Sequence, residues 1–488
     1  MSTPVYPNTI SLSNLSTETG GASTGPNVAL NNYYAGGSIV PGGAYASPGG
    51  TPTYIPSSGA LSLNSFHGYS GARITGAPTF ATLSQVGGIS TNLTGIAVSP
   101  SGFFMAVGTT YYYDSTSPFT NHYLPYYWTS SGGTSFSSAT QIPGTADPDG
   151  PCVVTYSATV GSGGTPGFMV VGITEYTTSG QTGYGMWYAI YTIGSSSWTT
   201  SRTTITAPLG YGFGGGSYVT DGGPVIAVNS AGAIFVKCIS QNGYLSYVVY
   251  SGGSWTVGNA LTSYAAHSFT SGNSNSSFPV IALPNGNFLF TYGGNTSAGP
   301  VSYIYNTSSG VSGPTTIFPS GVTAYTLPTG MVYLPVSNKI LLVAYNAPSS
   351  GSTYGTSIYT TYDCASNTWS SSAPQTALTS GVGAIKNLTS MANGLVVALT
   401  DVLGPTGPFY VRPPSYMTYN ASANTWSAIQ YTSIGSTGNG LNNYSSGIAA
   451  IPASGTSSSG GSYKFVFLGF GVSVSSVPNQ PFIVYSTP

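Results

Sequence analysis

A short motif ending in tryptophan returns along this chain: Ser195-Ser-Ser-Trp198, Gly252-Gly-Ser-Trp255, Ser366-Asn-Thr-Trp369 and Ala423-Asn-Thr-Trp426. Weaker copies at Phe80, Phe136 and Gly313 put markers at 80, 136, 198, 255, 313, 369 and 426, with gaps of 56, 62, 57, 58, 56 and 57 residues. Spacing this regular means one supersecondary unit is copied, and each copy buries its faces against its neighbours.

Within each unit the order is constant. A short apolar run (Gly95-Ile-Ala-Val98, Pro224-Val-Ile-Ala-Val228, Pro279-Val-Ile-Ala-Leu283) precedes a tight turn (Ser99-Pro-Ser-Gly102, Asn229-Ser-Ala-Gly232, Pro284-Asn-Gly286). A strongly apolar second run follows (Phe103-Phe-Met-Ala-Val107, Phe168-Met-Val-Val171, Ile340-Leu-Leu-Val343), then a Tyr-rich third run and the marker. Four short strands per unit, no helical period and Gly/Asn/Pro turns predict an all-β fold of propeller blades. The second strands are apolar on both faces, as strands sandwiched between blades must be. First strands fall near 96, 153, 226, 281, 332, 389 and 449, so the expectation is a seven-bladed β-propeller over residues 76–488. The ring begins with a fourth strand, Thr79-Phe-Ala-Thr-Leu83, and ends after a third, Phe482-Ile-Val-Tyr485. The N-terminal run is therefore expected to complete the last blade and remove its open edge. Around Tyr362-Asp-Cys-Ala-Ser-Asn-Thr-Trp369 and Tyr419-Asn-Ala-Ser-Ala-Asn-Thr-Trp426 the units resemble kelch-type repeats, in which Tyr and Trp bracket the turn between third and fourth strands.

Charge narrows the function. Seven Lys+Arg and eight Asp+Glu in 488 residues supply no basic footprint for nucleic acid. The aromatic content is the reverse of a disordered chain. No apolar run is long enough for a membrane-spanning helix. The N-terminus reads as having no signal peptide, which implies synthesis in a cytoplasm. Cys152, Cys238 and Cys364 lie far apart, each in a strand-like run, and are expected to be reduced buried thiols.

Residues 1–75 follow a different pattern: Ile10-Ser-Leu12-Ser-Asn-Leu15, Val28-Ala-Leu30-Asn-Asn-Tyr33-Tyr34 and Leu61-Ser-Leu63-Asn-Ser-Phe66. They read as a small β or extended module, with a Gly/Pro/Tyr-rich inserted loop at 36–54, too short to build much core alone. The order of these motifs, continued through Ile55-Pro-Ser-Ser-Gly59 and Phe66-His-Gly68, resembles a module of tailed-phage virion proteins that precedes variable distal domains in fibres and other appendages. Where an aromatic residue or Leu often follows Glu18, this chain has Thr19. The resemblance implies a virion structural protein anchored to other virion proteins through Ile10, Leu12, Leu15, Leu30, Tyr33, Tyr34, Leu61, Leu63 and Phe66, possible as a homo-oligomer within the particle.

Catalytic constellations are hard to find. Asp147-Pro-Asp149 is the one close carboxylate pair and reads as a solvated turn; Asp114, Glu175, Asp363 and Asp401 stand alone. His67, His122 and His267 form no zinc motif, and no cofactor or metal is expected. A sialidase-like arginine cluster is missing, since only Arg202 and Arg412 fall in the ring. Gly210-Tyr-Gly212-Phe-Gly-Gly215 and Gly21-Ala-Ser23-Thr-Gly25 match phosphate-loop and nucleophile-elbow patterns without their structural context.

The long connections (108–122, 174–185, 293–300, 346–356, 401–414, 206–223 and 262–278) share one face of the ring and carry tyrosine: Tyr111, Tyr112, Tyr113, Tyr123, Tyr126, Tyr127, Tyr176, Tyr184, Tyr211, Tyr354 and Tyr410, with His122 and Trp128 alongside. Tyrosine gives a stacking face and a hydroxyl at low entropic cost, suited to sugars or protein epitopes; the same rings also serve to pack a propeller. The expected function is a non-enzymatic phage virion appendage, with a host-surface glycan or protein as partner. The alternatives are a stabilising capsid or tail decoration, a propeller enzyme acting on polysaccharide, and a cellular lectin.

Overall fold

A computed structural model describes residues 45–46, 53–54, 79–82, 91–114, 120–132, 135–146, 148–178, 181–205, 224–239, 245–258, 278–292, 299–323, 326–335, 337–346, 355–379, 383–390, 395–402, 415–421, 423–431, 441–450, 465–473 and 480–485. Apart from one turn of 3₁₀ helix at Ser162–Gly164, the regular elements are strands, paired antiparallel.

Six sheets are cut from continuous chain. Sheet 1 orders Thr91–Val98, Phe104–Asp114, Thr120–Ser130 and Thr140–Gln141. Sheet 2 orders Pro148–Gly161, Thr165–Thr178, Gln181–Thr192 and Ser197–Ile205. Sheet 3 holds Val225–Val228, Ile234–Ile239, Leu245–Ser251 and Ser254–Val257; sheet 4 holds Val280–Ala282, Phe288–Tyr292, Val301–Asn306 and Gly310–Thr316. Sheet 5 begins Thr326–Leu334, Lys339–Asn346, Thr356–Asp363, and sheet 6 begins Gly383–Ser390, Leu395–Val402, Ser415–Asn420. In both, two short strands share the outer side of the third: Thr368–Trp369 with Gln375–Leu378, and Thr425–Trp426 with Gln430–Tyr431.

The remaining four-stranded sheet is composite. Leu441–Ala450, Phe465–Ser473 and Gln480–Tyr485 take their outer strand, Thr79–Thr82, from the other end of the ring. Thr79 pairs with Tyr485 and Thr82 with Phe482, which caps an otherwise open edge. Inner strands touch in cyclic order, and the composite sheet touches sheet 1, where Ala449 packs on Leu93, Phe104 and Ala106. The architecture is an all-β propeller. The expected 1–75 and 76–488 division falls largely outside the described residues; of the inserted loop only a two-residue pairing is described, Tyr45–Ala46 with Thr53–Tyr54.

The core lies in the seams between sheets. Met105 and Val107 of sheet 1 pack with Cys152, Phe168, Val170 and Trp187 of sheet 2; Met169 and Val171 pack with Ile234 and Val236; Leu341 and Val343 pack with Val396 and Ala398. Second strands are thus buried on both faces, as at Phe288–Tyr292, because alternate residues serve alternate seams.

The turns between first and second strands repeat one geometry. Ser99 N–H donates to Phe103 O at 2.8 Å and Asn229 N–H to Ala233 O at 3.0 Å, and Gly102, Gly232 and Gly286 sit at φ of +82°, +81° and +86°. These are the turns read from the sequence. Gly232 is also sterically required, since a Cβ there would lie 2.2 Å from Thr159 Oγ1. With the third-to-fourth turns they form one end of the ring, the turn end. The hairpins joining second and third strands occupy the opposite, hairpin end.

One thiol of the two described departs from expectation. Cys152 is buried in a strand and its pKa is pushed up to about 12 by burial, but Cys364 is half-buried in a turn, its N–H donating to Asn338 O. Both are unbridged. Asp149, read as part of a turn, lies in the strand Pro148–Gly161, where the pairing register shifts between Pro148 and Cys152.

Candidate ligand-binding surface

Third strands carry the spacing Tyr-x-x-Tyr: Tyr188/Tyr191, Tyr247/Tyr250, Tyr359/Tyr362 and Tyr416/Tyr419. In a strand, positions three apart lie on opposite faces. One ring therefore serves each neighbouring seam, and where the next sheet carries a tryptophan that ring completes a cluster. Trp198 lies 5.1 Å from Tyr127 of sheet 1 and 5.4 Å from Tyr191 of its own sheet. Trp255 repeats this with Tyr188 and Tyr250 at 5.3 and 5.2 Å, and Trp426 with Tyr359 and Tyr419 at 5.8 and 5.0 Å. Where sheet 4 replaces the first tyrosine by Ser302, the indole Nε1 of Trp369 donates to the serine Oγ at 2.8 Å. The indole N–H groups of Trp198, Trp255 and Trp426 are buried with no hydrogen-bond partner among the described residues. The bracketing of the turn by Tyr362 and Trp369, and by Tyr419 and Trp426, is as the kelch-like spacing implied.

The turn between each pair is fixed by side chains. Tyr362 Oη donates to Asn367 Oδ1 at 3.2 Å and Tyr419 Oη to Asn424 Oδ1 at 2.8 Å. Burial pushes the Tyr362 and Tyr419 hydroxyls up to about 12, so both remain protonated donors at neutral pH. Asp363 Oδ1 accepts from Ala365 and Ser366 N–H at 2.9 Å each, and these bonds hold its carboxyl below the usual range. Asp363 thus has the turn role expected of it.

These clusters correct part of the aromatic reading. Tyr126 and Tyr127 are not on a connection: both lie in Thr120–Ser130, and their half-buried rings pack in seams, Tyr127 against Trp198 and Tyr126 beside Phe104 and Trp128. Tyr111, Tyr112, Tyr113, His122 and Tyr123 also lie on strands, in register Tyr111 with Tyr123, Tyr112 with His122 and Tyr113 with Asn121. Tyr176 and Tyr184 lie on paired strands, opposite Gly183 and Glu175. The segments 108–122 and 174–185 are therefore mostly hairpin, because Tyr and Thr fit a pleated surface and no Gly or Pro interrupts the pairing near Tyr111–Tyr113. Tyr354, Tyr410 and Tyr211 lie outside the described residues, as do the anchoring positions Ile10, Leu12, Leu15, Leu30, Tyr33, Tyr34, Leu61, Leu63 and Phe66.

Two cations escaped the sequence reading. Lys237 is 2% exposed; its Nζ donates to Thr291 O at 2.8 Å and lies 5.4 Å from the Phe278 ring centre. It stands where the register puts Val107, Val171 and Val343 in other sheets. The signal was a lysine directly after the apolar run Ala233-Ile-Phe-Val236. Buried Arg202 clamps the connection between sheets 1 and 2: its Nη2 donates to Gly144 O at 2.9 Å and its backbone N–H to Pro143 O at 2.7 Å. Among the described residues no three His, Cys, Asp or Glu side chains group as metal ligands.

No protein family and no curated protein matches the sequence. Solved structures that the chain is similar to include the BP39L lectin from Burkholderia pseudomallei, at 13% identity, covering 84% of this chain and 99% of that one with a TM-score of 0.47. A leech intramolecular trans-sialidase aligns at 11% identity over 76% of this chain and 74% of that one, TM-score 0.44. An α-L-arabinanase from Penicillium chrysogenum aligns at 10% identity over 83% and 98%, TM-score 0.42. Ligands and activities do not transfer at such identities.

Proposed function

We propose that this chain is a non-catalytic virion appendage protein, attached through residues 1–75, whose propeller binds a glycan or protein on the host surface. The observation that carries the reading is the polarity of the closing strand. Thr79 pairs with Tyr485 at the turn end, so the N-terminal segment leads into the ring at the end opposite the second-to-third hairpins. A propeller mounted through that segment directs its hairpin end outward, and loops and hairpin tips on a rigid scaffold are where recognition usually resides. The resemblance of residues 10–68 to phage virion modules supports the mounting. The scarcity of charge supports binding over hydrolysis, since eight carboxylates and three histidines leave few acid–base pairs.

Immunogold labelling of intact particles with an antibody against residues 76–488 tests this. Gold at a tail tip or fibre end is the expected result. Gold over the head or tail shaft would replace host binding by decoration. Particles without label, and without the chain by mass spectrometry, would overturn the virion reading.

A further inference from the structure

On the turn end, the first turn of sheet 2 is the longest described. Between the paired residues that flank it, sheets 1, 3 and 4 use five residues each, 99–103, 229–233 and 283–287, whereas sheet 2 uses eleven, 157–167. The additional chain stays a hairpin, with Ser157 paired to Gly167 and Gly161 to Thr165 around the 3₁₀ turn at Ser162–Gly164. Glycine permits its course, since a Cβ at Gly167 would lie 2.6 Å from Tyr191 O. Two neighbours fix it. Val160 is buried in the seam with sheet 3, and Thr159 lies against Gly232. Ser162 N–H donates to Thr192 Oγ1 at 3.0 Å, and Ile193 N–H to Pro166 O at 3.2 Å. The hairpin is therefore a braced ridge on the turn end.

Toward sheet 1 a layer of rings comes to the surface beside this ridge. Phe168 and Tyr191 are buried, 0% and 4% exposed. Around them lie four half-buried rings: Tyr156 and Phe103 at 5.8 and 6.1 Å from Phe168, and Tyr127 and Trp198 at 6.0 and 5.4 Å from Tyr191. Half-buried Ile193 packs on the same core. Phe103 and Ile193 are peculiar to this seam. At the place of Phe103, just before the second strand's first paired residue, sheets 3, 4 and 5 carry Ala233, Asn287 and Lys339. At the place of Ile193, sheets 4, 5 and 6 carry Thr307, Cys364 and Ala421. The blade fold thus needs no large apolar residue at either position.

We propose that this aromatic step seats an apolar, uncharged segment of the protein that carries the chain in the particle. It rests on the reading of the turn end as the mounted end and names the contact there. The chain enters the ring at Thr79 on this end, so a body that holds residues 1–75 lies over the same surface. The stretches 97–106, 154–171 and 188–201 contain no Asp, Glu, Lys or Arg. A charged partner surface would lose its hydration there without gaining an ion pair. Phe103 and Ile193 offer no hydrogen-bonding side chain, and the indole Nε1 of Trp198 is buried, which suits apolar contact better than sugar hydroxyls. Aromatic residues are enriched and charges depleted at the centre of protein interfaces, as they are here.

The test places a photo-crosslinker, benzoylphenylalanine, at position 103 of the full chain, irradiates intact particles and sequences the linked peptide by mass spectrometry. Beside it runs a double variant, Phe103→Asn with Ile193→Thr, which installs the residues that sheet 4 carries at those places. The expected result is a link to an uncharged, apolar segment of another virion protein. The double variant is expected to leave particles roughly tenfold faster at unchanged thermal unfolding, since interface changes act mainly on dissociation. A link to residues 1–75 of this chain, or to a second copy of it, overturns the partner. A link to a glycan overturns the ligand class. No link, with the double variant released at the unmodified rate, overturns the surface and leaves the proposed function standing. Particles that hold no copy of the unmodified chain overturn the proposed function and this contact with it.

Discussion

Two residues before each repeat tryptophan the backbone crosses into the left-handed region: Ser196 at φ +50°, Gly253 at +86°, Asn367 at +55° and Asn424 at +52°. That conformation costs an ordinary L-residue about 1–2 kcal/mol, little for glycine and less than usual for asparagine. Serine at 196 is the least suited of the four. Asn367 and Asn424 also accept a hydroxyl from the tyrosine five residues earlier, and Tyr191 stands in that relation to Ser196. Ser196→Asn is therefore expected to stabilise the protein by about 0.5–1 kcal/mol, read as a higher urea midpoint at unchanged slope. An unmoved midpoint would show that this turn is not strained. The turns themselves were legible in the sequence, because Gly and Asn before Trp are local signals. Their tyrosine partners were not, since a hydroxyl reaching back across the hairpin leaves no mark at the turn.

At the scale of strands, one aromatic scheme is solved in two ways. Trp198 meets a tyrosine across its seam and buries an N–H with no partner among the described residues, whereas Trp369 meets Ser302 and donates to it. Replacing each by phenylalanine separates these cases. Trp369→Phe discards a neutral hydrogen bond, a loss of about 1 kcal/mol beyond the change in ring size. Trp198→Phe removes a buried unsatisfied donor, which offsets lost packing, so its cost is expected to be smaller by about 1 kcal/mol. Equal costs in parallel urea titrations would contradict the scheme. The same strands show where reading from sequence stopped. Apolar second strands and tight first turns follow from hydrophobic runs bounded by Gly and Pro. Tyr111-Tyr-Tyr113 looked like a connection because polar aromatic residues without an apolar partner give no period. Cross-strand pairing with Tyr123, His122 and Asn121 makes them strand, and pairing is a relation between segments that a linear pattern does not display.

For the whole molecule, closure depends on four residues. Thr79–Thr82 is the outer strand of the composite sheet, and without it the edge of Gln480–Tyr485 would be bare. A bare edge offers unpaired N–H and C=O groups to any other strand, and this chain lacks the charges that usually guard such edges: only 15 charged residues in 488. The repeat made this closure foreseeable, because a first fourth strand and a missing last one can satisfy each other only by meeting. The placement of the N-terminal module was beyond that logic, since nothing in a repeat specifies what lies outside it. Truncation separates the two. Removing residues 1–75 leaves the closing strand in place and is expected to yield a monomeric propeller with nearly unchanged thermal stability. Removing residues 1–82 takes only seven residues more but exposes the edge. Its expected outcome is lower thermal stability, with concentration-dependent association in light scattering as edges of separate copies pair. If the shorter chain stayed monomeric and equally stable, the composite sheet would not be what holds the ring shut. The seams between sheets, above all the Ala449 contacts with Leu93 and Phe104, would then have to carry closure alone.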